Sequence, residues 1–283
     1  MGDHCTPVRA PRERERFAAA DPRLPTHSRC HVFNLVAFFK SVAQDAALDN
    51  VTPVSDPLVT ISANNRIIFP EDYQLLAAHA NIPDGTRWRL NTPSMRVIAL
   101  PELYPFKPSA AVGSNPPLVF PGDSAIRIPR NDEAGYDVSR GGSGAANVYA
   151  AMFVAPRRVP APMGPIYTMR ATASLTLTAG TWVGGTLTFD QILPFGRYAI
   201  VGMQATVNDG MYARLTFPGQ TQYRPGVPCV ESVGDYINPQ AFRYGAFGLF
   251  GMFDQTAQPG VEVLGDTAGA ETPVILLDLV KVA

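Results

Sequence analysis

The chain has 283 residues, a net charge of −1, and 17% charged against 46% hydrophobic residues. That hydrophobic share excludes a disordered chain, and the near-zero charge excludes a global electrostatic pull toward nucleic acid or an anionic membrane. Charged residues fall short of the roughly 25% usual for soluble domains, as expected either where part of the exterior is covered by protein neighbours or where long small-residue and proline loops dilute the charge.

Residues 1–30 are rich in Arg, Pro and Ala without a sustained period, and are expected to form an extended arm. The arm lacks the basic-then-apolar layout of a signal peptide, because Arg9, Arg12, Arg14 and Arg16 precede no prompt apolar run. Residues 31–50 are expected to hold the one long helix, since apolar residues at 32, 35, 36, 39, 42, 43 and 46 fit one helical face. Phe33 and Phe38 fall off that face, so burial on more than one side is expected, and no segment nears the ~20 apolar residues of a membrane span. A second, short helix is expected over Pro70–Ala80.

Beyond Pro53 the period becomes two. Thr168 to Thr178 alternates polar and apolar residues as one strand, and Tyr198–Val207 and Met211–Phe217 flank Asn208-Asp209-Gly210 as a hairpin would. Further strands are expected at 58–62, 66–69, 86–90, 95–100, 125–128, 148–154, 186–189, 242–253 and 274–282. The 24 glycines and 27 prolines gather at the ends of these segments, where proline stops a strand and discourages stray edge pairing. A proline-dense stretch from Pro156 to Pro165 reads as a linker between a first β-domain (51–160) and a second (161–283). Leu100-Pro101 and Leu193-Pro194, Phe120-Pro121-Gly122 and Phe217-Pro218-Gly219, and Met152-Phe153 and Met252-Phe253 recur in the same order across it, as a duplication or chance would produce.

Catalytic signatures are missing. The sequence has no phosphate loop, dinucleotide fingerprint, zinc-protease helix or nucleophile elbow, and histidine stops at His79. Asp254, Glu262, Asp266 and Glu271 are the carboxylates left for acid–base work, in a region that reads as loop. Three cysteines complete no disulfide framework. His4, Cys5, His27, Cys30 and His31 gather zinc-type ligands in the arm, but adjacent ligands suit one ion poorly and the spacing matches no standard finger. Asn131–Asp137 has the oxygens but not the order of a calcium loop, and is expected to be an exposed loop running into the flexible Arg140–Gly144. Asp3, Glu13, Glu15 and Asp21 offset the arm's arginines, so the arm reads first as protein-binding, with nucleic-acid contact second. Phe242, Tyr244, Phe247, Phe250 and Phe253, punctuated by Gly245, Gly248 and Gly251, read as core packing. No catalytic, cofactor or metal site is assigned.

An arm, one apolar helix and many short proline-capped strands together resemble the jelly-roll capsid proteins of icosahedral viruses, bacteriophages in particular. The resemblance is of architecture and composition over residues 50–283, not of a motif. It implies an all-β fold of one or two jelly-roll barrels. It also implies a non-enzymatic virion protein made in the host cytoplasm, whose partners are copies of itself and other virion proteins. A receptor- or carbohydrate-binding β-module of a viral spike or fibre is the alternative, and an enzyme the third reading.

Overall fold

The computed structural model describes residues 32–56, 59–95, 102–103, 117–120, 125–230 and 240–283, so the expected arm and its His/Cys cluster lie outside the described residues. The fold is all-β. Among the described residues eleven strands precede residue 156: β1 (Asn34–Val42), β2 (Asp45–Pro53), β3 (Thr60–Ile61), β4 (Ile67–Ile68), β5 (Tyr73–Asn81), β6 (Gly85–Asn91), β7 (Glu102–Leu103), β8 (Leu118–Val119), β9 (Ile126–Ile128), β10 (Glu133–Arg140) and β11 (Ala146–Ala155). Eleven more follow residue 165: β12 (Ile166–Thr172), β13 (Leu175–Leu177), β14 (Trp182–Thr186), β15 (Thr188–Phe189), β16 (Arg197–Thr206), β17 (Gly210–Thr216), β18 (Gly226–Val230), β19 (Gly251–Asp254), β20 (Gly260–Gly265), β21 (Gly269–Glu271) and β22 (Val274–Lys281).

The pairing falls into four antiparallel rows. In the first half β1-β11-β5-β9 form one row and β2-β10-β6-β7 another, joined where Phe38 and Phe39 meet Pro53 and Thr52. In the second half the rows are β12-β22-β16-β19 and β14-β20-β17-β18, joined by a short parallel contact of β16 and β18 at Ala205 and Cys229. Counting these eight strands along each half, both halves read 1-8-3-6 in one row and 2-7-4-5 in the other. The remaining short strands lie at edges: β3–β4 beside β10, β8 on β5, β15 on β12, and β13 with β21. Of the three sequence echoes across the linker, Met152-Phe153 lies on the eighth strand of its half and Met252-Phe253 on the sixth, so that pair does not correspond, while Leu100-Pro101 and Pro121-Gly122 lie outside the described residues.

The rows stack as layers. Val51, Trp88, Leu90, Tyr136 and Val138 from the second row of the first half meet Phe38, Val148, Ala150 and Met152 from the first row in one core. Intervening residues of β11, namely Tyr149, Ala151 and Phe153, face the other way and join a larger core with residues of the second half, including Tyr212, Leu277 and Leu279. Strand β11 is therefore buried on both faces, like the central strands of a covered sheet.

Double burial corrects both expected helices. Residues 34–42 are β1 and 45–53 are β2, while 73–81 are β5. A strand covered on both faces carries apolar residues at odd and even positions, and such a run satisfies the helical template as readily as the strand one. Four further expectations change. Asn131–Asp137 is not an exposed loop: it runs into β10, whose residues from Ala134 to Arg140 are all buried. Residues 168–178 break into β12, which pairs β22, and β13, which pairs β21. Of 242–253 only Gly251–Asp254 is strand, preceded by a 3₁₀ turn at Gln240–Phe242. Strands β16 and β17 do not pair as a hairpin; the turn at Asn208–Gly210 carries the chain from one row to the other, and neither Asp209 nor Gly210 takes a positive φ. The expected strand at 95–100 lies outside the described residues past Met95, which ends a 3₁₀ turn.

Candidate functional site

Among the described residues, the seam between the halves holds one group of buried polar side chains. Arg214 on β17, 2% exposed, pairs Asp56 from the loop after β2, donates through Nε to Glu262 on β20 at 2.6 Å, and lies 3.9 Å from the Trp182 ring centroid. Two carboxylates and an aromatic face thus surround one buried guanidinium, the arrangement a planar multidentate cation suits best. Beside it, His79 Nδ1 lies 2.8 Å from the Tyr212 hydroxyl. Tyr149 donates toward the carbonyls of Gly265 and Asp266 at 3.2 and 3.3 Å, and Asn34 Oδ1 accepts the Arg224 N–H at 2.6 Å. Burial, with Asp266 nearby, pushes the Tyr149 hydroxyl well up. His79 is therefore a seam residue between two aromatic-lined sheets.

Two further buried carboxylates hold the outer layers. Asp137 on β10 accepts from Arg66 at 3.1 Å, Asn91 at 2.6 Å and Arg89 at 3.3 Å, which is why a strand with alternate polar residues can be buried on both faces. Asp278 on β22 is fully buried and accepts from Arg243 through Nε at 2.7 Å and Nη2 at 2.8 Å, from the Tyr244 N–H at 2.9 Å and from Thr168 at 2.8 Å. Burial alone would raise that carboxyl, and these donors more than offset it, holding it below the usual carboxylate range.

The four carboxylates singled out in the sequence do not converge. Glu262 is taken up by Arg214, and Asp254 is exposed beside Arg197 at the start of β16. Asp266 and Glu271 lie near Asp209, beyond the far end of β16; burial and then the Asp209 charge raise Glu271, and burial with Asp209 raises Asp266 against a bond from Tyr149. Among the described residues no three His, Cys, Asp or Glu side chains are grouped to hold a metal ion, and no helix is long and apolar enough to cross a membrane. The aromatic run of 242–253 is core: Phe242, Phe247 and Phe250 pack with Phe33 and Phe153 from the first half, and only Tyr244 is exposed.

Sequence reasoning missed a set of exposed apolar side chains in the second half. Met163 is 100% exposed, Ile192 92% and Phe195 85%, with Tyr167 at 57% and Ile166 and Val282 at 40%. Ile192 and Phe195 flank Leu193-Pro194, and that dipeptide was legible only as a strand stop; Leu193 is buried in the core while its neighbours face out.

No protein-family model matches the chain, and no curated protein does. Among solved structures, the major capsid protein P2 from Bacteriophage PM2 aligns with a TM-score of 0.22 and 11% identity, covering 87% of this chain and 98% of that one. A likeness at that score carries no argument about fold or function.

Proposed function

We propose that the chain is a non-enzymatic structural subunit of a virion, a capsid protein that self-assembles into an icosahedral shell and is built from two jelly-roll barrels dividing near residue 160. The observation that carries this reading is the strand order, 1-8-3-6 facing 2-7-4-5 in each half. Eight antiparallel strands so arranged in two facing sheets are the jelly-roll plan, which recurs in viral shells and in lectins. Fold alone does not choose between those uses. A shell subunit is favoured over a free binding module by the low charged share and by the exposed apolar side chains, both of which suit a surface covered by neighbours. Its partners are then copies of itself and other virion proteins, and no cofactor is required. Electron microscopy of the purified protein, with light scattering alongside, tests the reading: regular particles or sheets are expected, and a clean monomer at high concentration overturns it.

A further inference from the structure

Asp278 closes a turn that grips two other parts of the chain. Residues 243–250 pack against β16 where its register with β22 slips between Ile200 and Gly202. Gly245 donates its N–H to the Val201 carbonyl at 2.7 Å, and Phe250 to the Ile200 carbonyl at 2.8 Å. The bare backbone of Gly202 makes this approach possible, since an added Cβ would stand 2.8 Å from the Tyr244 nitrogen and 3.0 Å from the Arg243 Cα. Asp278, paired with Gly202, then accepts the Tyr244 N–H and two bonds from Arg243, whose Nη1 donates to Gln204 at 2.9 Å. Among the described residues, the other non-glycine positions with a positive φ are Asn65, Asp84 and Asn131, types that tolerate the left-handed region. Tyr244, at φ 53, is a bulky residue held there by what surrounds it, and Asp278 is the group that binds its N–H.

On its other side the turn holds the connection between β11 and β12, residues 156–165. Leu249 donates its N–H to the Val159 carbonyl at 3.0 Å, and the Arg158 guanidinium lies 5.2 Å from the Phe247 ring centroid. Gly248, at φ 113, would put a Cβ 2.4 Å from the Val159 oxygen, and Gly245 would put one 3.1 Å from the Ala161 Cβ. The same turn holds the start of the described chain. The Phe33 ring meets Phe247 and Phe250 edge-on at 4.8 and 4.9 Å, and Val32 packs with Leu249, Ala199, Val201 and Val280 in a small core that Val159 and Ala161 also cover. Asn34 and Leu35 are fastened separately, to the backbone of Arg224.

We propose that the Arg243–Asp278 pair is a latch: through the turn it sets, it fastens the β11–β12 connection and Val32–Phe33 together, and its release frees both while the two halves stay folded. Local opening of this kind needs a segment whose hold depends on few bonds beside a core that keeps its own. The turn meets that condition, because its ion pair and the bond to the strained Tyr244 converge on one carboxylate.

Asp278→Asn keeps the shape of the side chain and removes its charge, and thiol labelling of the full chain reads the result. In a Cys5→Ser, Cys30→Ser, Val32→Cys background, labelling at position 32 should run about tenfold faster or more with Asp278→Asn, while Cys229 stays protected and the circular dichroism is unchanged. Hydrogen exchange of the Leu249 amide and tryptic cleavage after Arg157 and Arg158 should rise with it, and exchange at Leu35 should not. Gly248→Ala, which leaves the ion pair in place, should speed cleavage after Arg157 and Arg158. If Asp278→Asn does not fold, Arg243→Lys, which keeps the charge but loses the forked pair of bonds, is read in the same assays against the same outcomes. The proposal is overturned if position 32 labels freely without the latch substitution, or if it stays protected in the folded variant. It is also overturned if position 32 opens without the connection, if Cys229 is labelled in step with it, or if Gly248→Ala leaves cleavage unchanged.

Discussion

Replacing Asp56 with alanine removes one of two carboxylates from a guanidinium that is 2% exposed and joins the two halves. Breaking a buried pair by removing one partner costs about 3–5 kcal/mol, because the remaining charge is left uncompensated. Glu262, whose side chain is 24% exposed, still holds Arg214 at 2.6 Å, which places the expected loss near the lower end, about 3 kcal/mol. For a chain of this size 1 kcal/mol shifts Tm by about 2–4 °C, so a fall of roughly 6–12 °C is expected. Urea melts of wild type, Asp56→Ala, Arg214→Met and the double variant close a thermodynamic cycle. The coupling between the two sites should exceed about 1 kcal/mol, since residues in direct contact are not additive. An Asp56→Ala midpoint within about 0.5 kcal/mol of wild type, or additive single losses, would refute the idea that this pair holds the seam.

Asp278 has a folded pKa below its unfolded value, so its stabilisation is present above about pH 4 and lost as pH falls through the folded pKa; Asp278→Asn should remove that acid-side slope in melts between about pH 5 and pH 2. Asp266 and Glu271 are shifted the other way and oppose folding once ionised, so Asp209→Asn should raise neutral-pH stability by several tenths of a kcal/mol and narrow the gain seen on acidification. Burial pushes the Cys229 thiol well up, so in a Cys5→Ser, Cys30→Ser background a thiol reagent at neutral pH should label Cys229 only as denaturant unfolds the chain. At Gly202 an added Cβ would stand 2.3 Å from Asp278 Oδ2 and 2.8 Å from the Tyr244 nitrogen, so Gly202→Ala should cost about 1–3 kcal/mol in the same melts.

A strand with one wet and one dry face was readable from its alternation at β12, whereas β16 and β17, buried at consecutive positions, were readable from their β-type residues and the turn residues at Asn208–Gly210 between them. The period fails where both faces are covered. In β1 the apolar run reads as a helix, and in β10 the polar positions read as a loop because the arginines that satisfy Asp137 are distant in sequence. The repeat of strand order left no trace in residue identity, since a row needs only a residue of suitable polarity at each position. The exposed apolar residues escaped notice for a related reason: whether an isolated Ile or Phe in a loop faces out is settled by its neighbours in space, as at Ile192 and Phe195 on either side of buried Leu193.

The row containing β1, β11 and β5 acts as a party wall. Each side of it roofs a different core, so Tyr149, Ala151 and Phe153 stay dry only while the second half is present. A gene cut at 156–165 would therefore yield a first half with one wall stripped bare, sticky toward anything apolar. The two halves share one strand order but are not free to part, and changes on either side of that wall must be matched by changes on the other.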